Sequence, residues 1–244
     1  MVNDAPQPIN LPPPLPVADG RPEIPVLHLD EHLVVVAKPP GMIVHRTRES
    51  SDRVFLLQEL GAQLGRFLYP VHRIDRAASG IIAFALSSDA ARGLQAALAR
   101  EEARKEYLVL ARGSTPEAWD VDLPLKDEKG LAQPARTSFT RLAEFSRLSL
   151  LRARIHTGRR HQIRRHLSRT AHQIIGDTTH GKGKINGFFR KEYGLPRLCL
   201  HAERLEITHP ATGEPLRVRA PLAEDLRAFL LRLPDCPREL VGEL

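Results

Sequence analysis

Residues 80–86 read Gly-Ile-Ile-Ala-Phe-Ala-Leu, seven positions without a polar side chain. A run of that length with β-branched and aromatic members is a strand buried on both faces, because alternation would be visible if one face met water. Such a strand requires other elements on either side of it. Immediately before it stands His72-Arg73-Ile74-Asp75-Arg76, so a charged loop is attached to the rigid centre of whatever this chain builds.

The flanking segments supply the other layers. Residues 24–30 (IPVLHLD) and 33–40 (LVVVAKPP) read as two strands joined by a turn at Asp30-Glu31-His32, and KPPG at 38–41 ends the second. Val54 to Leu64 has apolar residues near helical spacing. Ser87 or Ser88 can cap a helix running to about Arg104, with Leu94 and Leu98 on its inner face. Strands fit Glu106–Ala111, Ser138–Glu144 and Leu148–Ile155. A hairpin fits Ile207–Arg219, turning at Pro210-Ala211-Thr212-Gly213, and a short amphipathic helix fits Ala223–Leu231. Strands outnumber helices and short turns join many neighbours, which predicts an α+β fold with a largely antiparallel sheet. Residues 1–23 are acidic and Pro-rich and read as a flexible extended tail. Residues 24–244 read as one domain.

That tail lacks the basic and apolar regions of a signal peptide, and no apolar run reaches membrane-span length, so a cytoplasmic location is expected. The 244 residues carry a formal charge of +7. An excess of that size favours a polyanionic partner, nucleic acid or an anionic membrane. Cys199 and Cys236 lie far apart and form no metal-ligand spacing; Cys199 is expected to be a buried thiol. His156, His161 and His166 recur every five residues, a spacing that spreads them around a helix. His28-Leu29-Asp30 is the one HxD and stands alone, so no metal is expected. Residues 176–182 match GxxxxGK, but Gly183 follows where a phosphate-binding loop needs Ser or Thr.

Three basic clusters carry the chemistry. In the first, arginines on both sides of Asp75 favour its anion, which suits nucleophilic attack or stabilisation of a developing cation. A plain surface ion pair fits the same charge pattern. In the second, 157–167 (TGRRHQIRRHL), Ile163 and Leu167 can pack while Arg160 and Arg164 share another face, for phosphate or a buried carboxylate. In the third, 176–197, Lys182, Lys184, Arg190 and Lys191 are interleaved with Phe188, Phe189 and Tyr193. Cations among aromatics suit RNA, though the Phe pair fits a core equally well.

Taken together, these motifs resemble the RluA-like family of pseudouridine synthases from about Ile24 to Leu222. HRIDRAASG at 72–80 resembles its hallmark HRLDRxTSG, and KEY at 105–107 its second motif. TGRRHQIRRHL, IIGDTTHG at 174–181 and LHAERLEITHP at 200–210 resemble its third region and continuation. Ile74, Ala78 and Gln173 depart from the usual Leu, Thr and Pro. The resemblance implies a mixed, largely antiparallel bent sheet with flanking helices and a central catalytic cleft. It implies an isomerase that turns uridine into pseudouridine without cofactor or metal. Asp75 would be catalytic, either attacking C1′ or taking the 2′ proton. Arg73 would insert into the RNA stack during base flipping. Tyr107 would pack on the flipped uracil and take its C5 proton, Arg164 would pair with Asp75, and Ile163 would wall the pocket. Arg76, Arg159, Arg160, Arg165, Lys182, Lys184, Arg190 and Lys191 are expected to hold RNA. The order RRHL, HQIIGD, HG, Asn186 and Phe is similar to the subgroup acting at uridine 65 of tRNA. With no room before Ile24 for an S4 domain, tRNA is the expected partner of a monomeric enzyme. Another tRNA site, ribosomal RNA, or an inactive RNA-binding module or chaperone are the alternatives.

Overall fold

The computed structural model describes residues 23–45 and 54–244, so the expected tail lies outside the described residues apart from Glu23. In chain order the elements are β1 (Val26–Leu29), β2 (Leu33–Lys38), α1 (Leu56–Leu64), β3 (Tyr69–Pro70), β4 (Ser79–Ala85) and α2 (Ser88–Ala99). Then come β5 (Arg104–Arg112), β6 (Ala118–Asp122), β7 (Leu125–Lys126), β8 (Ala132–Gln133), β9 (Arg136–Phe145) and β10 (Leu148–Ile155). The last are α3 (Gln162–Arg169), α4 (Gly183–Tyr193), β11 (Leu200–Thr208), β12 (Pro215–Arg219), α5 (Glu224–Leu231) and α6 (Arg238–Glu243).

Among the described residues ten strands form one mixed sheet in the order β1-β2-β4-β11-β5-β10-β9-β6, with β12 beside β11 and β3 beside β4; β7 and β8 form a separate hairpin. All its pairings are antiparallel except β4 with β11. The fold is the expected α+β class. The apolar run at 80–86 is explained by what lies over it. Ile82 and Phe84 face Leu56 and Leu60 of α1 together with Val34 and Val36 of β2. Ile81, Ala83 and Ala85 face Leu94 and Leu98 of α2 and Leu205 and Ile207 of β11. Both faces of β4 are therefore dry. A third core joins β5, β9, β10, α3 and α5. Cys199 is buried and free, as expected.

Gly80 sits where β4 meets β11, with φ +102°, and a Cβ there would fall 2.1 Å from the backbone oxygen of Ala202. Only glycine permits this approach.

Several elements differ from the sequence reading. Helix α2 ends at Ala99, not near Arg104, because Arg104 and Lys105 already pair with Glu206 and Leu205 of β11. Sheet pairing overrides helical propensity there. The basic and aromatic segment after Lys182 is helix α4, ended by Gly194 at φ 65°. Phe189 and Tyr193 pack against the core that holds Phe229, while Phe188 remains exposed. The His28-Leu29-Asp30 element does not stand alone. Asp30 Oδ2 receives His28 Nε2 at 2.7 Å and His209 Nε2 at 3.0 Å, and its Oδ1 caps the turn by accepting from His32 N and Leu33 N. His209 Nδ1 accepts from Ala211 N and Thr212 N, which puts the ring hydrogen on Nε2, toward Asp30. The cluster thus ties two turns together through hydrogen bonds.

Candidate active site

Asp75 lies in the loop between β3 and β4, in a turn closed by Ala78 N donating to Asp75 O. Three side chains, Lys38, Arg197 and His72, fix that loop. Lys38, 1% exposed at the end of β2, donates Nζ to the carbonyls of Pro39 (2.8 Å), Met42 (2.9 Å) and Arg76 (3.2 Å). Gly41 N also donates to Arg76 O, and Arg76 Nε returns a bond to Gly41 O, so the KPPG turn is strapped to the loop. From the other side, Arg197 donates to Ala77 O and to Ser79 Oγ while a bidentate pair with Asp225 holds its guanidinium. Ser79 Oγ in turn meets His201 Nδ1 at 2.9 Å. Upstream, His72 Nε2 accepts from Ala83 N, which docks the loop's start on β4. Burial first, then Arg197, pushes Lys38 down to about 7 against the pull of Asp75.

The partner of Asp75 comes from α3. The turn before this helix is organised by Gln162, whose Oε1 accepts from Thr157 Oγ1 and Arg159 N. Its Nε2 donates to Arg136 O and Thr137 Oγ1. His161 takes a left-handed conformation, φ 54°, so that the next turn can begin. That aims Arg164, 7% exposed, at two carboxylates. Its Nη1 reaches Asp75 Oδ2 at 2.9 Å; its Nε and Nη2 each reach Asp177 at 2.8 Å. Burial opposes the charge of Arg164, but the bonds to Asp177 and Asp75 hold its pKa above the ordinary value. Asp177 is itself fixed: Oδ1 accepts from Thr179 N and His180 N, and Asn186 braces the segment through Gly176 N and Asp177 O. The Asp177 carboxyl is held below its usual range despite burial, first by Arg164. His161 Nε2 lies 3.8 Å from Asp75, and its Nδ1 meets His180 at 3.1 Å. Burial, outweighing the attraction of Asp75, keeps His161 below its ordinary value and so neutral at pH 7.

Tyr107, on β5 between β10 and β11, completes the cleft. Its phenol is pushed up, by burial first and by Asp75 second, and stays protonated. The cleft of about 180 Å³ is lined by Asp75, Arg164, Tyr107, Ile163 and the exposed Arg73. Arg159 and Arg160 also line it. The structure thus gathers seven of the expected residues around one opening: Arg73, Asp75, Tyr107, Arg159, Arg160, Ile163 and Arg164. Arg165 lines an adjoining groove. Arg76 instead sits exposed at the back of the loop, bonded to Gly41. Lys182, Lys184, Arg190 and Lys191 are exposed on and before α4 and do not line the cleft. Sequence reasoning missed Lys38, Asp177, Arg197 and His180. The Gly-Asp of IIGDTTHG was visible as a motif, but nothing in it announced a second counterion for Arg164.

An ionised pair next to an aromatic ring, walled by Ile74, Ala78, Ile155 and Leu200 and rimmed by arginines, can take a flat base while its sugar meets the carboxylate. Residues 32–169 match the family model described as RNA pseudouridylate synthase. The chain is 38% identical over 228 residues to tRNA pseudouridine synthase C of Vibrio cholerae, covering 84% of this chain and 93% of that one. It is 38% identical over 218 residues to the protein of the same name in Vibrio vulnificus, covering 80% and 89%. Among solved structures it resembles the human protein RNA Pseudouridylate Synthase Domain Containing 4. The TM-score is 0.71 at 25% identity, with 86% of this chain and 92% of that one covered. By family model, relatives and fold, the chain belongs to the RNA pseudouridylate synthases, isomerases that convert uridine to pseudouridine.

Proposed function

We propose that this synthase acts on tRNA at uridine 65, with Asp75 as its catalytic residue. The observation that carries the catalytic assignment is the chain Asp75–Arg164–Asp177, which presents one carboxylate to a cleft beside Tyr107. The tRNA assignment rests on relatives named for tRNA. In the reaction the C1′–N1 bond breaks, the uracil turns, and C5 bonds to C1′. The C5 proton leaves and N1 gains one, so no electrons are exchanged. Asp75 either attacks C1′ or takes the 2′ proton; both routes use a fixed anion beside the sugar. Arg164 holds that anion, and Ile163 keeps the base side dry. A phenol that stays protonated supports packing on the uracil as the role of Tyr107 and disfavours a phenolate base for the C5 proton. Arg73 is given the role of filling the stack that the base leaves, and its exposure beside the cleft supports that reading.

Arg76, Arg159, Arg160, Arg165 and the cations on and before α4 supply contacts to the backbone beyond the target nucleotide. Residues 24–244 act as one catalytic domain, monomeric and in the cytoplasm where tRNA is found. Among the described residues no helix is long and apolar enough to cross a membrane. The test is Asp75→Asn with tritium release from C5-labelled tRNA. Release should vanish, and release at the wild-type rate overturns the assignment. Mapping pseudouridine in a treated, unmodified tRNA transcript should place it at position 65.

A further inference from the structure

The catalytic cleft opens, past His161, into a groove of about 980 Å³ between the β7–β8 hairpin and the start of α3. Five cations line it: Lys126, Lys129, Arg159, Arg160 and Arg165. Two carboxylates also line it, and they are used differently. Asp127 is spent on the hairpin, accepting from Lys129 N, Leu131 N and Gln133 Nε2. Glu128 borders both cavities, and its Oε1 accepts from Arg160 Nη1 at 2.8 Å. The pair is open to solvent, with the Glu128 side chain 75% and the Arg160 side chain 50% exposed. An ion pair so exposed contributes little to stability.

The scaffold around Arg160, by contrast, is fixed. Arg159 Nε donates to Pro134 O at the hairpin's base, and Arg165 Nη1 donates to Arg160 O. The guanidinium therefore stands at the junction of cleft and groove, in a field of positive charge, with one displaceable carboxylate on it. Carboxylate and phosphodiester oxygens make the same charge-assisted bonds to a guanidinium. We propose that Arg160 binds a backbone phosphate of the RNA next to the target nucleotide, and that Glu128 occupies the place of that phosphate until RNA displaces it. The groove then carries the strand leaving the cleft. This inference rests on the RNA-modifying reading of the cleft.

The test measures binding of an unmodified tRNA transcript in an Asp75→Asn background, where turnover does not intervene. Glu128→Gln should bind about 2- to 5-fold tighter, since a competing anion is removed. Arg160→Gln should bind about 5- to 10-fold weaker and lower the slope of log affinity against log salt by about 1. Glu128→Gln should gain little once Arg160 is gone. Equal or weaker binding by Glu128→Gln overturns the displaced carboxylate, and unchanged binding by Arg160→Gln overturns the phosphate site. The underlying reading fails separately, if the wild-type chain forms no pseudouridine in tRNA.

Discussion

The second carboxylate on Arg164 can be tested by Asp177→Asn, which preserves shape and removes charge. Asp177 is 1% exposed, so the change is felt inside the protein. An asparagine would keep its oxygen at the Oδ1 position, where Thr179 N, His180 N and Arg164 Nη2 converge. Its amide nitrogen would then face Arg164 Nε, where the carboxylate now accepts at 2.8 Å, and two donors would oppose each other. One charge-assisted bond is worth about 1.5–3 kcal/mol. Breaking a buried pair outright costs about 3–5 kcal/mol. A loss near 3 kcal/mol is expected, which lowers the melting temperature of a chain this size by about 6–12 °C. Arg164 would be left with Asp75 as its anion and would lean toward it, moving the carboxylate out of line. Misplacement of a reacting group by about 1 Å costs up to about 100-fold. Single-turnover tritium release should therefore slow by about 10- to 100-fold, while tRNA affinity changes less than about twofold. A variant that melts and turns over like the wild type would refute the idea that Asp177 orients the pair.

Lys38→Met removes the donor shared by three carbonyls at nearly constant length. We expect kcat to fall about tenfold with tRNA affinity intact, from loosening of the Asp75 loop; unchanged kcat counts against the strap. His201 gives a pH signature. Burial, only partly offset by the Ala220 carbonyl, pushes it from 6.5 down to about 4, so the unfolded chain binds the extra proton between those values. Stability should be full above about pH 6.5 and fall as pH drops toward 4, by about 3 kcal/mol from this group. Urea midpoints at pH 7 and 4.5 should converge in His201→Gln relative to wild type, and an equal drop in both proteins would remove His201 as the cause.

The parts of this fold that depend on neighbours in sequence were legible. The β1–β2 and β11–β12 hairpins, the run at β4 and the pair β9–β10 all carry apolar patterns bounded by turn residues. Strands β7 and β8 have two residues each, too short to show a period, yet they wall the groove. Lys38 closes an apolar strand, and a lysine there reads as the point where the chain meets water. Its burial follows from carbonyls contributed by residues 39, 42 and 76, which only the folded loop assembles. Asp30 and His209 meet across 179 positions, a separation no local pattern can report. The Asp75–Arg164 contact spans 89 positions and was named through family motifs, because charge alone fits a surface pair as well.

The parallel contact between β4 and β11, with Gly80 against Ala202, has a consequence for how the enzyme comes into being. A ribosome adding roughly 5–20 residues per second needs about 6–24 s to go from the first strand to the second. Through that interval the Asp75 loop lacks Ser79's neighbour His201 and the brace of Arg197, which lie in the unfinished part of the chain. Closing so long a segment is also entropically costly and slow. A nascent chain can therefore expose its basic helix α3 to passing RNA well before it can modify any, and competence arrives only with the C-terminal third.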